Sequence, residues 1–363
     1  MHRIDQLVAG RAMSVVVGRD GKILYGRKAT APRTPASNEK LLVSMALLDA
    51  LGPDHRLATT AAAKDLTDGI VGSNLWILGG GDPGVDQATM RELARELDEA
   101  GVERIEGSVR GSTRGFARDW WAPGWKPYFP SQYVALPTAL AFHRNTVKGR
   151  HIQDPERRAA VALTKMLRER GIPVAESPGM GSSPTGLDPI ASVRSEPLVA
   201  VLRLQNVPSD NWYAETMGKL LGSTVEGPPG TIAKGAEAID DFAADHGATA
   251  INPYDSSGLS YDDRVTAGAM VRLLFWCDEQ TWAEQLRWSL PTGGEGTLRD
   301  RLKGIEVRAK TGTLTGISAL SGWVRSERSA AWIEFSILSK GMDKSTASQI
   351  EDRIVEIVAN SVS

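Results

Sequence analysis

A chain of 363 residues with 41% hydrophobic and 24% charged side chains has room for two or three domains and a sizeable buried core. Its 42 basic and 44 acidic side chains leave a formal net charge of -2, which argues against a general electrostatic grip on nucleic acid or anionic lipid and points to small molecules or neutral polymers as partners. The single cysteine, Cys277, excludes an internal disulfide, and the five histidines (His2, His55, His143, His151 and His246) lack metal-ligand spacing, so neither a metal nor another cofactor is expected.

At the start of the chain, Met1-His2-Arg3-Ile4-Asp5-Gln6 shows no basic region followed by an apolar stretch, and no later window approaches the ~18 apolar residues of a membrane span. Residues 13–17 and 23–25, joined through Arg19-Asp20-Gly21-Lys22, read as a β-hairpin closed by an Asp-Gly turn. Beyond Pro32 and Pro35, apolar residues at Leu41, Leu42, Met45, Leu47 and Leu48, ending at Gly52-Pro53, predict a buried helix over 37–51 with Ser37 at its N-terminus. Residues from about 60 to 195 differ in texture: a turn run Gly79-Gly80-Gly81-Asp82-Pro83, a helix over 87–100, and an aromatic, proline-rich stretch over 120–137. They read as an inserted module. The glycine run lacks both dinucleotide-loop spacing and the Lys-Ser/Thr of a phosphate loop, so it reads as a turn without ligand. Helical texture returns over 211–221 and 267–276, with Cys277 read as a buried structural thiol at the end of an apolar run; residues 291–297 form a second glycine-rich loop. Strands over 318–324 and 331–338 flank a polar turn, and a helix over 345–359 packs the hairpin.

Three short motifs carry the chemistry: Ser37-Asn38-Glu39-Lys40, Ser209-Asp210-Asn211 and Lys310-Thr311-Gly312-Thr313. Chance supplies about one Ser-x-x-Lys and one Ser-x-Asn in a chain this long but only roughly 0.1 Lys-Thr-Gly, so the third lends weight to the first two. Taken singly they have plainer readings: a helix cap beside a solvated lysine, an Asx-type cap, and a strand edge with a bulge. Together they describe a serine nucleophile with lysine bases. Ser37 and Lys40 share one helix face, so the amine reaches the hydroxyl, and burial together with the positive field of Lys310 would favour the neutral base. Ser209 is placed to relay a proton and Asn211 to bind a substrate amide. The backbone N–H groups of Ser37 and Thr313 would form an oxyanion hole, Gly312 would let substrate approach the backbone, and Lys310 with the hydroxyls of Thr311 and Thr313 would hold a substrate carboxylate.

These motifs, in this order, resemble those of the active-site serine penicillin-recognising enzymes. The likeness is closest to the class C low-molecular-mass penicillin-binding proteins, D-alanyl-D-alanine carboxypeptidases and endopeptidases. Pro35-Ala36 before Ser37, the Gly79 to Pro83 run, Ala214-Glu215, Asp255-Ser256-Ser257-Gly258-Leu259-Ser260 and Gly296-Thr297-Leu298 extend it over most of the chain. The long interval from Ser37 to Ser209 fits that branch, whose members carry inserted domains there. The insert itself looks short, with only a brief link between Asn145-Thr146-Val147 and the helix expected over 157–170, where members have a further β-rich module. Many members have an arginine after the Gly-Leu-Ser, implicated in binding a diaminopimelate carboxylate, where this chain has Tyr261. Tyr128 and Phe129 stand where an aspartate is often found. A stem peptide without a free side-chain carboxylate, for example an amidated one, is therefore expected, with misalignment or weak use of that subsite as the alternatives.

The resemblance implies an α/β (α+β) penicillin-binding fold, an antiparallel sheet flanked by helices, made by residues 1–60 and 196–363 around an accessory domain at 61–195. It implies a serine D,D-peptidase cleaving D-alanyl bonds of peptidoglycan stem peptides through an acyl-enzyme on Ser37, inhibited by β-lactams and acting in the extracytoplasmic cell envelope. A β-lactamase or esterase of the same superfamily, and an idle peptidoglycan-binding scaffold, stay open as alternatives.

Overall fold

The computed structural model describes residues 2–361. The principal elements are numbered here in chain order. A short helix α1 (His2–Val8) turns Ile4 and Val8 inward, and the hairpin β1 (Met13–Arg19) and β2 (Lys22–Arg27) follows. Its turn places Asp20 at φ 53° and Gly21 at φ 73°, the left-handed pair that Asp-Gly adopts readily and that matches the twist of the strands. The helix expected from residue 37 starts as a 3-10 turn, Ala36–Asn38, and continues as α2 (Glu39–Leu51). Every residue of α2 from Glu39 to Leu48 is buried, so α2 is a central helix, and Ser37 sits half-buried on the turn that leads into it.

The next stretch forms a second sheet from β3 (Ala58–Ala63), β4 (Leu75–Gly79), β5 (Val109–Ser112), β6 (Gly179–Gly181) and β7 (Asp188–Arg194), in the order β6-β5-β4-β3-β7. The β6-β5 and β5-β4 pairings are parallel, while β4-β3 and β3-β7 are antiparallel. The amphipathic helices α3 (Gln87–Glu99) and α4 (Pro155–Glu169) bury Leu93, Leu97, Leu163 and Leu167 in one cluster with Ile77 and Val109 of this sheet. Asp86 starts α3 with a capping box, accepting from the amides of Ala88 and Thr89. Between β5 and α4, however, Phe116, Trp125, Phe129 and Val134 belong to a different core, the one that contains Leu41 and Met45 of α2.

The chain then supplies α5 (Leu198–Asn206), α6 (Asn211–Val225), α7 (Ile232–Asp245), α8 (Ala267–Asp278) and α9 (Ala283–Ser289), and closes with β8 (Val307–Leu314), β9 (Ile317–Arg325), β10 (Trp332–Lys340) and α10 (Lys344–Ser361). The last three strands join the first two as a five-stranded sheet in the order β8-β9-β10-β1-β2, antiparallel throughout. Strand alternation gives it two apolar faces. Met13, Val15, Val17, Leu320 and Phe335 pack with Ile4 of α1 and Ile354 and Val358 of α10. Val16, Ala319, Trp323 and Leu338 face the opposite way, into the cluster that contains Leu41 of α2 and Leu274 of α8. The mixed fold with an antiparallel sheet between helices is the one expected from the motifs, and it sets β8 directly beside the Ala36–Asn38 turn. Cys277, in α8, is fully buried, and burial raises its thiol pKa well above the ordinary value.

Candidate active site

Backbone constraints bring the three motifs together. Ala36 adopts φ 48°, and the 3-10 turn presents Ser37 one turn before Lys40 on α2. Strand β8 passes so close that a Cβ on Gly312 would lie 2.5 Å from the carbonyl oxygen of Pro35. The glycine expected to admit substrate to the backbone is thus already required by the turn that carries the nucleophile. Asn38 ties the two elements by donating from Nδ2 to the carbonyl of Lys310 at 3.2 Å.

On the other side lies the loop 255–260. Gly258 has φ 75°, and a Cβ there would fall 1.9 Å from the carbonyl oxygen of Ala36. Asp255 folds the loop by accepting from the amides of Gly258 (2.6 Å) and Ser260 (2.8 Å), and from the indole N–H of Trp125 at 2.6 Å. Glu215 accepts from the amides of Ser256 and Ser257 at 3.2 and 2.8 Å. That fixes the carbonyl of Ser257, which accepts from Lys40 Nζ at 2.5 Å.

Lys40 Nζ also lies 2.9 Å from Ser37 Oγ and 2.9 Å from Asn211 Oδ1. A neutral amine has two N–H donors and one lone pair. The two carbonyl oxygens, of Asn211 and Ser257, take both donors and leave the lone pair for the serine hydroxyl. Burial lowers the pKa of Lys40 to about 8, against the opposing pull of Asp255, Glu215, Asp210 and Glu39. Those acids do not all remain charged. Burial raises Glu39 and Glu215 above the ordinary carboxyl range, and the negative charge of Asp255 adds to the effect on each; Asp263 is raised for the same two reasons.

Lys310 Nζ donates to Ser209 Oγ at 2.9 Å and to the carbonyl of Thr311 at 2.9 Å. Its pKa falls well below that of an ordinary lysine, first through burial and then through the charge of Lys40. Thr311 Oγ1 donates to Thr297 Oγ1 at 2.8 Å, which brings the Gly296-Thr297-Leu298 motif onto the strand. Ser209 is held at φ 62°, and Asp210 beside it caps α6 by accepting from the amide of Tyr213 at 3.0 Å. The expected cap is thus present at Asp210, while the neighbouring Ser209 and Asn211 side chains meet Lys310 and Lys40.

Tyr261 follows the Gly258 loop, and its ring lies 4.7 Å from Lys126 Nζ. Tyr128 and Phe129 stack edge to face at 5.0 Å, with Tyr133 against both. Ser257, Glu215, Asp255, Thr297 and Lys126 have no role that the sequence alone assigns. The only advance signal for the first four was their place in family-like strings; Lys126 had none, because nothing local in sequence announces that it will meet Tyr261.

A family model described as the D-Ala-D-Ala carboxypeptidase 3 (S13) family matches residues 3–151 and 143–361. The chain belongs to this family. It is a serine peptidase of the D-alanyl-D-alanine carboxypeptidase kind. It is 27% identical to the D-alanyl-D-alanine carboxypeptidase of Actinomadura sp. (strain R39), across 96% of this chain and 81% of that one. That alignment runs over 448 residues, more than the 363 present here, so the relative has segments without a counterpart in this chain. The carboxypeptidase DacB of Mycolicibacterium smegmatis is 30% identical over 92% of this chain and 76% of its own. Among solved structures, penicillin binding protein 4 of Haemophilus influenzae superposes with a TM-score of 0.84 at 19% identity, covering 99% of this chain and 100% of that one, a likeness of fold.

Proposed function

We propose that Ser37 is the nucleophile of this peptidase and that it cleaves D-alanyl bonds of peptidoglycan stem peptides through an acyl-enzyme. The observation that carries the proposal is Lys40 Nζ at 2.9 Å from Ser37 Oγ with two carbonyl oxygens, those of Asn211 and Ser257, on its remaining directions. Neutral Lys40 takes the hydroxyl proton as Oγ adds to the scissile carbonyl carbon. The oxyanion forms against the backbone N–H groups of Ser37 and Thr313, where one such donor is worth roughly 3 kcal/mol. Collapse of this intermediate breaks the C–N bond; the departing D-alanine amine takes its proton through the Ser209–Lys310 pair, and the proton that Lys40 took from Ser37 replaces it, so Lys40 is neutral again. Water then adds to the ester with Lys40 again as base, freeing the shortened peptide and Ser37. Asn211, with Oδ1 engaged by Lys40, keeps its NH2 group for the substrate amide. Lys310, Thr311 and Thr313 hold the terminal carboxylate, with Thr297 extending the hydroxyl pair.

Tyr128 and Tyr261 form the subsite for the side chain of the third stem residue, and their rings suit an uncharged, amidated group; Phe129, expected there from the sequence, is instead buried in the core at 4% exposure because its ring packs with Trp125 and Tyr133. Lys126 over Tyr261 favours a second reading, in which that side chain carries a free carboxylate. Relative turnover of amidated and free peptides, in wild type and Lys126→Ala, separates the two. Residues 61–195 are an accessory module, shorter than usual for the family, although its segment around Trp125 and Phe129 packs in one core with the catalytic helices. β-Lactams acylate Ser37 as substrate mimics. The site of action is outside the cytoplasmic membrane, where the polymer lies; among the described residues no helix is long and apolar enough to cross a membrane. Release of D-alanine from a D-Ala-D-Ala stem pentapeptide, abolished in Ser37→Ala, tests the function. Equal release by both proteins, or no release from this or a cross-linked peptide, would overturn it.

A further inference from the structure

Three consecutive residues, His143, Arg144 and Asn145, adopt left-handed backbone at φ 50°, 57° and 51°. Asparagine tolerates that region well, but arginine has no intrinsic preference for it. The segment is anchored by Asn145, fully buried, which donates from Nδ2 to the carbonyl of Leu136 (2.8 Å) and to Thr138 Oγ1 (2.9 Å) and accepts at Oδ1 from the amide of Phe142 (2.9 Å). The strained turn carries the Arg144 guanidinium over the rings of Tyr213, at 5.0 Å, and Trp212, at 5.9 Å, where Nη2 donates to Asp210 Oδ2. Asp210 is flanked by Ser209 and Asn211. Its other oxygen, Oδ1, caps α6. With one oxygen on the cap and the other on Arg144, the Asp210 side chain is fixed at both ends, and so is the short backbone between the proton-relay serine, itself at φ 62°, and the asparagine that holds Lys40.

Thermodynamic stability explains this arrangement poorly. The Arg144 side chain is 54% exposed, and an ion pair that open to water contributes little to folding. Backbone strain retained for such a weak pair has a better explanation in what the pair orients. We infer that Arg144 is a positioning residue of the peptidase: from the 61–195 segment it clamps Asp210 and thereby sets the geometry of Ser209 and Asn211. The inference rests on the catalytic reading above.

The test uses the whole chain with Arg144→Ala, Arg144→Lys, Asp210→Asn and the double variant Arg144→Ala/Asp210→Asn. Asparagine is as good an N-cap as aspartate, so Asp210→Asn removes the charge and spares the helix start. Two readouts are taken: the second-order rate of Ser37 acylation by benzylpenicillin, and amide hydrogen exchange followed by mass spectrometry. Arg144→Ala is expected to slow acylation about tenfold or more, as small misplacements near a reacting centre do, with an unchanged melting temperature. Arg144→Lys should recover part of that loss, since it keeps the charge without the planar fork. The double variant should be no slower than the slower single variant, and exchange should rise in the peptide spanning 206–212 alone. Wild-type exchange across 206–212 in Arg144→Ala overturns the inference whatever the acylation result, and so do additive losses in the double variant. Failure of the wild type itself to be acylated counts against the catalytic reading instead, and the exchange readout still decides the role of Arg144.

Discussion

Lys40 Nζ lies 2.9 Å from Ser37 Oγ inside a site where burial, not a neighbouring cation, holds the pKa of Lys40 down to about 8. The strongest opposing pull is the negative charge of Asp255, so removing it would lower the pKa further. In the proposed mechanism the general base is the unprotonated amine. The acylation rate is therefore expected to rise with pH through about 8, about a tenth of its maximum being reached at pH 7. A rate independent of pH between 6 and 9, measured with a β-lactam reporter, would speak against Lys40 as the base.

In the same proposal the second lysine acts through a hydroxyl. Lys310 Nζ is 2.9 Å from Ser209 Oγ, so Ser209→Ala interrupts the path to the leaving amine while leaving Lys40 and Ser37 in place. Acylation by peptide substrate should fall by roughly 10²-fold, within the range typical for a lost proton-transfer group. Single-turnover kinetics with wild type as reference would show it, and an unchanged rate would remove Ser209 from the mechanism.

Gly258 is the tightest backbone approach to the nucleophile's turn. Gly258→Ala puts a methyl group 1.9 Å from the Ala36 carbonyl oxygen at φ 75°, so either the 255–260 loop or the Ser37 turn must move. The expected cost is about 2 kcal/mol or more in stability, with a disproportionate loss of acylation because the Ser257 carbonyl leaves Lys40. Denaturant melts combined with an acylation assay measure both.

How much of this could be read in advance follows from how local each signal is. The Asp20-Gly21 hairpin, the buried run from Leu41 to Leu48 and the three motifs are encoded within a few residues and were legible. The second sheet was not, because Ala58–Ala63 is all alanine and threonine and shows no alternating pattern, and one of its two strand partners, Asp188–Arg194, comes from far along the chain. Helices α5 and α7 were missed as well, their short apolar stripes lying between stronger signals. At the site the side chains that converge, Ser37, Lys40, Ser209, Asn211 and Lys310, were legible, but the carbonyl of Ser257 was not: a backbone oxygen has no sequence signature, and its position depends on Glu215 and Asp255 folding the loop. The expectation that Lys310 would depress Lys40 also changed form. Burial lowers Lys40, while the charge effect between the two lysines falls on Lys310.

Away from the site, Glu334 is buried on β10, where burial and Asp278 raise its pKa to about 9. The unfolded chain releases that proton near the ordinary carboxyl value. Between those two values the folded state binds more protons, so this residue makes stability fall as pH rises. Glu334→Gln removes that slope. Its melting temperature relative to wild type should therefore increase from pH 5 to pH 9, as followed by calorimetry; a difference that stays constant or shrinks would refute the assignment.

The most direct test is intact-protein mass after mixing with benzylpenicillin, followed over time with Ser37→Ala alongside. A persistent adduct of one drug molecule on the wild type, absent from Ser37→Ala, is the expected result for a peptidase acylated on Ser37. An adduct that also forms on Ser37→Ala, or no adduct on the wild type at high drug, would contradict it, and an adduct that vanishes as free drug is hydrolysed would assign the site to a β-lactamase.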